Sequence, residues 1–283
     1  MLPFYHSVSD EEPIHIRHLY TPRKIEQFKA DLDYFLTYYK PISLQDVIAI
    51  SKGEKKLTEN SFHLSFDDGL SEFYHIAAPI LIEKGIPATV FLNADFIDNE
   101  ALFYRFKVSI LIEELYAKGL IDATFKEVAA IDQLAKENGI DFDEFLKKEQ
   151  PYLNSEQIKE LIQQGFTFGA HSNNHPLYKG LTLDEQLAQT NESVTKIVTQ
   201  FQLDYKVFSF PFTDDGVGKQ FFEQIKSKVD VTFGCAGFKK QTLPFHFQRL
   251  EMETAENAKS TLKTAYFYYL LKSFVGKNKI DRD

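Results

Sequence analysis

The segment at positions 62–69, Phe-His-Leu-Ser-Phe-Asp-Asp-Gly, constrains the fold of this chain more than any other stretch. Its apolar run predicts a buried strand over 62–66 that ends at two adjacent carboxylates. Neighbours on a strand point to opposite faces, but Gly69 allows a tight turn that brings both carboxylates into one pocket. Adjacent acids at the mouth of a buried strand repel each other unless a cation or a proton resolves them. The segment therefore predicts a charged site at a strand end.

A second segment, Ala-His-Ser-Asn-Asn-His-Pro at 170–176, offers two imidazoles four positions apart. Such a pair puts both rings on one side, as zinc motifs commonly do. Together with Asp68, the two histidines His171 and His175 supply one oxygen and two nitrogens. This is the ligand set of zinc hydrolases that keep a water in the fourth position. Cobalt or nickel fits the same set. Asp67 then remains as a general base. Each motif by itself is also typical of a turn or a surface loop; their joint placement at strand ends favours a metal site.

Strand and helix patterns alternate along most of the chain, which favours a parallel α/β architecture. Seven strands are predicted, over 2–5, 62–66, 88–92, 166–170, 206–210, 230–233 and 246–251. Helices are predicted to begin at Thr21-Pro22, Asn154-Ser155 and Thr182, and to lie over 72–84, 219–228 and 255–275. Seven strands instead of eight predict a distorted, incompletely closed (β/α) barrel whose site lies at the carboxyl ends of the strands.

Residues from about 95 to 155 break this alternation. They show charged amphipathic helix patterns over 105–118, 124–137 and 142–149, with no strand pattern between them. No linker rich in Pro, Gly or Ser flanks the region. We therefore expect a helical insertion that packs beside the barrel, within one domain spanning 1–283.

Composition limits the classes of function. The formal net charge of −9 argues against a general nucleic-acid binder, which needs a basic face. The single cysteine, Cys235, excludes an intramolecular disulfide and is compatible with a reducing compartment. No signal peptide is visible and no apolar run reaches the ~18 residues that a transmembrane helix needs, so we expect a cytoplasmic protein with no transmembrane segment.

The segment Phe-Ser-Phe-Pro-Phe-Thr at 208–213 ends another predicted strand. The backbone N–H of Phe212 follows the rigid Pro211 and is a candidate donor to an oxyanion, although a plain exit from strand to loop gives the same pattern. We also expect Pro211 and Asp214 to contact substrate; the alternative for Asp214 is an ordinary acid in a turn.

Taken together, these motifs resemble the polysaccharide deacetylase family, the NodB-homology carbohydrate esterases. The matching stretches are Ser-Phe-Asp-Asp-Gly at 65–69, Gly-Ile-Pro-Ala-Thr-Val-Phe at 85–91, His-Ser-x-x-His at 171–175 and Phe-Pro-Phe at 210–212. The resemblance implies a distorted (β/α) barrel, a divalent metal usually taken as zinc, and hydrolysis of N-acetyl or sometimes O-acetyl groups on sugars. It also implies that Asp67 is the base and that Asp68, His171 and His175 are the metal ligands.

The sequence departs from the family pattern around the base and the acid. Ser209 stands where the family usually has an Arg that steadies the base, and Phe212 replaces a Tyr. The chain has no Trp, so the Trp-bearing motif is absent. Arg249 is a candidate to steady Asp67 instead, and a surface ion pair is its ordinary alternative.

The late Leu-x-His motif, whose His is the family's general acid, is missing as well. The first strand ends in Tyr5-His6, as in poly-N-acetylglucosamine deacetylases, so by resemblance His6 is the candidate acid. A capping or core histidine is the alternative for His6, and Asp214 is a candidate to orient its ring.

The leading interpretation is a metal-dependent deacetylase that acts on an N-acetylated sugar or polysaccharide. Alternatives are an amidase, a deformylase or an O-acetyl esterase acting on a lipid- or nucleotide-linked sugar, and a carbohydrate-binding protein of low activity that keeps the fold. The predicted C-terminal helix carries aromatic residues among lysines. Such a helix either covers the flank of the barrel or makes weak contact with a membrane surface.

Overall fold

The protein is described by a computed structural model that covers residues 1–116, 118–280 and 282. The described residues form ten strands: β1 (Pro3–Tyr5), β2 (Lys40–Pro41), β3 (Ser61–Phe62), β4 (Leu64–Phe66), β5 (Ala88–Leu92), β6 (Thr167–Ala170), β7 (Val207–Ser209), β8 (Val231–Gly234), β9 (His246–Gln248) and β10 (Leu250–Glu251). They also form ten α-helices: α1 (Ile25–Tyr38), α2 (Leu44–Ser51), α3 (Ala78–Lys84), α4 (Tyr104–Leu115), α5 (Val128–Glu137), α6 (Phe142–Glu149), α7 (Ser155–Gln163), α8 (Leu183–Phe201), α9 (Lys219–Ile225) and α10 (Ala258–Phe274).

Eight of the strands form one parallel sheet in the order β10-β1-β4-β5-β6-β7-β8-β9. The two outer strands, β9 and β10, are neighbours in sequence and only Arg249 separates them. The backbone N–H of Arg249 donates to Gly234 of β8, whereas the next N–H, of Leu250, donates to Leu2 beside β1. One stretch of chain therefore supplies both edges, and the sheet is a nearly closed barrel.

The predicted count of seven strands differs from this sheet of eight. The predicted strand 246–251 divides at Arg249, because the chain there exchanges one hydrogen-bonding partner for another at the opposite edge. The other six predicted strands each correspond to one strand of the barrel.

Most predicted helix boundaries hold because their caps form. Thr182 and Asn154 accept hydrogen bonds in the capping boxes of α8 and α7. The predicted start at Thr21-Pro22 is wrong: α1 begins at Ile25, because Arg23 lies in an extended bridge with Val8. The sequence patterns missed α2, which Ser43 caps, and the small β2–β3 pair.

Among its described residues, the region 95–155 holds α4, α5 and α6 and, as predicted, no strand of the barrel; Tyr152 forms an isolated bridge with Leu70. The part of the predicted helix 105–118 at residue 117 lies outside the described residues. The insertion's apolar side chains, such as Phe106 and Ile131, form a cluster of their own. Phe103, at the start of α4, joins this cluster to the rim of the barrel.

Large aromatic side chains from the strands and from α1 make up much of the main hydrophobic core. The chain has 27 Phe in all. Phe28, Phe66, Phe168 and Phe208 are each at most 1% exposed, and burial of each such ring contributes roughly 2–3 kcal/mol. This packing fixes the strand ends at which the charged residues lie. None of the helices in the described ranges is both long and apolar enough to cross a bilayer.

Candidate active site

Asp68, His171 and His175 converge at the carboxyl ends of β4 and β6. Asp68 Oδ1 lies 3.2 Å from His175 Nε2 and 3.6 Å from His171 Nε2. One ligand atom from each of the three residues lies within 4.8 Å of the other two, and all three side chains are buried. The cluster predicted from two separate motifs is therefore present as a compact group of one oxygen and two nitrogens.

The donor set fits a divalent metal ion. Asp68 Oδ1 is buried and, within the described part of the chain, has no hydrogen bond of acceptable geometry. Such an oxygen is costly unless a cation satisfies it. His171 Nδ1 lies 2.9 Å from the carbonyl oxygen of Ser209, which leaves Nε2 as the lone-pair donor that faces Asp68. One carboxylate and two imidazoles are ligands that zinc takes while keeping an open position.

Electrostatics keeps these groups in the ligating state. Burial lowers the pKa of His171 to about 4, so its ring is neutral at physiological pH. Burial of Asp68 would raise the pKa of its carboxyl group, but His175 and His171 outweigh this and lower it. A neutral imidazole and an ionised carboxylate are the forms that bind a metal.

Local backbone geometry places the ligands. Asp68, Ser172, His175 and Phe212 all have positive φ, at 70°, 68°, 60° and 56°, a region that non-glycine residues rarely occupy. Such conformations cost of order 1–3 kcal/mol each and persist where the surroundings impose them. Gly69 follows with φ of 64°, and a Cβ there would meet Leu92 at 2.6 Å. The first acidic motif therefore needs its glycine for space as well as for the turn.

Asp67 lies beside the metal cluster and is held by Arg249. The guanidinium donates two hydrogen bonds of 2.7 Å to the two carboxylate oxygens, and it also donates to Ser65 Oγ at 3.0 Å and Ser209 Oγ at 2.5 Å. Arg249 is 1% exposed, so the expected alternative of a surface ion pair is wrong. Burial by itself would raise the pKa of Asp67, but Arg249 outweighs it and lowers this pKa. Asp67 is therefore ionised and fixed in orientation.

His6 lies in the same cavity, at the end of β1. Its Nδ1 is 2.6 Å from Oε2 of Glu253, whose carboxylate also accepts the backbone N–H groups of His6 and Ser7. Burial would lower the pKa of His6, but Glu253 outweighs it and raises this pKa to about 10. The ring is therefore protonated at neutral pH. No sequence motif marks Glu253, which lies two residues beyond β10.

The cavity that contains these groups has a volume of about 390 Å³. Phe212 lines it, and its backbone N–H donates to no acceptor within the described ranges. The ring of His175 packs between Phe103 and Phe212, with centroid distances of 4.4 and 4.5 Å. Arg105, in the first turn of α4, also lines the cavity, and its guanidinium carbon lies over the Phe212 ring at 5.8 Å from the centroid. Sequence reasoning did not single out Arg105 or Phe103.

The predicted substrate contacts at Asp214 and Pro211 do not match the structure. Neither residue lines the cavity as the described residues form it. Asp214 is 2% exposed and accepts from Gln248 at 2.8 Å and from Arg282, and its Oδ2 lies 3.0 Å from His246 Nε2. Glu253, and not Asp214, orients His6. Asp214 lies five positions past the end of β7 and is buried away from the cavity, because its buried partners hold its charge there.

A parallel barrel with a buried Asp-His-His cluster at the carboxyl ends of its strands, next to a fixed carboxylate, defines the class: an α/β barrel with a candidate metal site. The family follows from comparison with known proteins. The polysaccharide deacetylase family model matches residues 54–228, more than half of the chain, and the chain belongs to this family.

One relative is the protein YxkH of Bacillus subtilis (strain 168), which is assigned as a polysaccharide deacetylase without an established activity. It is 21% identical over 208 residues, which cover 73% of this chain and 54% of YxkH. The chain thus spans about half the length of this relative.

Two solved structures share the fold. The Streptococcus pyogenes deacetylase PplD, in complex with acetate, gives a TM-score of 0.64 at 17% identity, over 93% of this chain and 96% of that chain. IcaB from Ammonifex degensii gives a TM-score of 0.62 at 15% identity, over 94% and 95% of the two chains. Both alignments span the barrel and most of the remainder of this chain.

Proposed function

We propose that this protein is a metal-dependent hydrolase that removes N-acetyl groups from an N-acetylated sugar or polysaccharide by attack of water on the acetamide carbonyl. One observation carries the proposal: the Asp68–His171–His175 cluster shares one cavity with Asp67 and His6. These groups supply a metal site, a base and an acid within reach of one substrate. Family membership supports the same reaction.

Asp68, His171 and His175 hold the metal in this proposal, with zinc as the first candidate and cobalt or nickel as alternatives. When bound there, such an ion would supply Lewis acidity, which lowers the pKa of water and polarises an acyl carbonyl. Asp67 takes the proton from the attacking water, since its carboxylate is ionised and Arg249 fixes its direction. The N–H of Phe212 has no other acceptor in the described protein and donates to the oxyanion that forms at the carbonyl.

Hydrolysis of an amide and hydrolysis of an ester differ in the leaving group that must be released. An amine needs a proton as the C–N bond breaks, whereas an alkoxide leaves more easily. His6 is protonated at neutral pH because Glu253 raises its pKa to about 10, and it lines the cavity. His6 therefore serves as the general acid in place of the absent late His motif, and Glu253 positions its ring. A competent acid favours amide hydrolysis over O-acetyl ester hydrolysis.

Arg105 favours one of the alternative substrates, a sugar linked to a lipid or nucleotide through phosphate. Of the other charged groups of the cavity, Asp67 is paired with Arg249 and His6 with Glu253, and Asp68 belongs to the candidate metal cluster. Glu251 also lines the cavity, and burial raises the pKa of its carboxyl group. Arg105 forms no ion pair with any described residue and is half-buried at the cavity wall. Guanidinium groups recognise phosphate oxygens in bidentate geometry. A phosphate attached to the acetylated sugar is thus the substituent that this cavity would select.

Acetate release from purified protein tests the proposed reaction. We expect N-acetylglucosamine oligomers or N-acetylglucosamine 1-phosphate to yield acetate in the presence of zinc or cobalt. Asp67→Asn should lower the rate by roughly 10²–10⁴-fold, the usual contribution of a general base. His75→Gln, an exposed position on another face, is the matched control. An O-acetylated and an N-formylated analogue tested alongside separate deacetylase, esterase and deformylase.

Binding of the oligomers with no release of acetate by the metal-loaded protein would favour the carbohydrate-binding alternative. The buried, ionised Asp67 argues against that alternative, because a binding protein has no use for a carboxylate that costs stability to bury. The cytoplasmic location stays a prediction, to be tested by fractionation of cells that express the protein.

A further inference from the structure

The fully buried contacts of helix α10 with the barrel lie in its first turns. Asn257 caps it, and the backbone N–H of Ala258 donates to the buried Asp31 at 2.5 Å. Ala258, Thr261 and Leu262 are the buried residues of the helix. Beyond Leu262 no residue of α10 is buried, although Tyr269 packs against Phe238. One side of the second half, with Ala265 and Tyr269 half-buried, therefore still faces the protein, as the expected flank position requires, while the other side is exposed.

The solvent-facing side of that second half is apolar. Phe267, Leu270, Leu271 and Phe274 recur at the spacing of one helix face and are 51%, 39%, 67% and 79% exposed. These four residues form the outer stripe of α10. Single exposed apolar residues are ordinary, but a contiguous stripe of large side chains marks an interaction surface.

The charge around the outer stripe indicates the kind of surface to which it would bind. Five lysines and no acidic residue lie between positions 257 and 280, in a chain whose formal net charge is −9; they are Lys259, Lys263, Lys272, Lys277 and Lys279. Lys263 lies one helical turn before Phe267, on the same side. The segment therefore fits an anionic surface with an apolar interior. A symmetric second copy fits poorly, because a two-fold interface would set one lysine-rich helix against another.

We propose that α10 docks the protein onto an anionic lipid surface, with the helix lying in the plane of the interface. The outer stripe would insert at the boundary between headgroups and acyl chains, and the lysines would contact lipid phosphates. The inference does not depend on the proposed hydrolase activity.

Vesicle co-sedimentation of the full chain tests this. We expect binding to phosphatidylcholine vesicles that contain phosphatidylglycerol, and weak or no binding to phosphatidylcholine alone. Phe267→Ser with Phe274→Ser should weaken binding by about tenfold or more, since each ring contributes buried apolar area. Lys259→Gln with Lys263→Gln should weaken it about fivefold per lysine, and added salt should do the same.

Matched controls are Ile82→Ser, a half-exposed apolar residue on α3, and Lys136→Gln, an exposed lysine on α5. Both should bind vesicles as the unmodified chain does, and circular dichroism should show equal helix content in all variants. Absence of binding to the anionic vesicles, or binding that the Phe variants leave unchanged, would overturn the proposal. So would a dimer in sedimentation velocity that the Phe variants dissociate, because the occupant of the stripe would then be a second copy.

Discussion

The guanidinium of Arg249 donates two hydrogen bonds of 2.7 Å to the carboxylate of Asp67, and Arg249 is the one residue between the two edge strands of the barrel. The contact that orients the proposed base is therefore also the point at which the sheet nearly closes. It restores, from the other end of the chain, the support that the family usually takes from an Arg at the position of Ser209. Loss of the Arg249 side chain should therefore affect both the stability of the barrel and the orientation of Asp67.

Substitution of Arg249 tests this coupling. Arg249→Met leaves Asp67 as a buried carboxylate without a partner, and we expect the free energy of unfolding to fall by about 3–5 kcal/mol. Arg249→Lys keeps the charge but loses the two-pronged geometry, so we expect a folded protein whose acetate release is at least tenfold slower. Urea denaturation and acetate release measure the two effects. Arg17→Lys, in an exposed pair with Glu113, is the control and should shift stability by less than about 1 kcal/mol. Unchanged acetate release by Arg249→Lys would refute the role of the guanidinium in orienting Asp67.

The pair of His6 and Glu253 predicts a pH profile. A general acid must be protonated, so activity is lost as pH rises through its pKa, which Glu253 holds at about 10. In Glu253→Gln the main group that raises the pKa of His6 is gone while Asp68 and Asp67 still raise it, so we expect the alkaline limb of kcat to move down by about 2 pH units. Glu253→Asp should show an intermediate limb. The profile of kcat against pH is the measurement, and an alkaline limb that stays in place would exclude His6 as the acid.

Arg105 predicts discrimination between charged and neutral substrates. We expect Arg105→Gln to raise KM for N-acetylglucosamine 1-phosphate by about tenfold or more, because a hydrogen bond to a charged group is lost. The kcat should stay the same, as should both constants for a neutral N-acetylglucosamine oligomer. Arg105→Lys should give an intermediate KM. If the unmodified chain hydrolyses the neutral oligomer but shows no preference for the phosphate, the substrate assignment fails and the hydrolase assignment stands.

Stability should fall at acid pH through His63. Its ring lies 2.9 Å from both the Ile42 carbonyl oxygen and Thr89 Oγ1, and burial lowers its pKa from 6.5 to about 4. The unfolded chain therefore binds more protons between these values, so stability is full above pH 6.5 and declines as pH falls toward 4. The loss is of order 3 kcal/mol for this histidine. Denaturation of His63→Gln across this range should show a smaller decline than the unmodified chain. The exposed His75→Gln should match the unmodified chain, and an equal slope in both variants would contradict the assignment.

Local motifs account for the part of the site that the sequence could predict. Asp67, Asp68, His171 and His175 follow directly on buried strands, and in a parallel barrel those strand ends meet at one face. His6 follows β1 directly, so the same rule places it at this face. Their convergence depends only on the order of strands and helices, which the alternation of apolar patterns reveals.

The remaining features depend on contacts between distant parts of the chain. Arg249 and Asp67 are 182 residues apart, and the sequence offered Arg249 only as a candidate, with a surface ion pair as its alternative. Glu253 and His6 are 247 apart, and no motif marks Glu253. The expectation for Asp214 failed for the same reason, since its buried partner His246 lies on another strand. The division of the strand at 246–251 likewise depends on where the barrel closes.

Metal content is the most direct test of the central claim, that Asp68, His171 and His175 jointly hold a divalent cation. Protein purified in the presence of zinc, dialysed and analysed by plasma mass spectrometry should carry one ion per chain. Asp68→Asn, His171→Gln and His175→Gln should each lose it, and each should show no rise in melting temperature when zinc is added, whereas His75→Gln should behave as the unmodified chain does. Equal zinc content in the unmodified chain and the three ligand variants would contradict the claim.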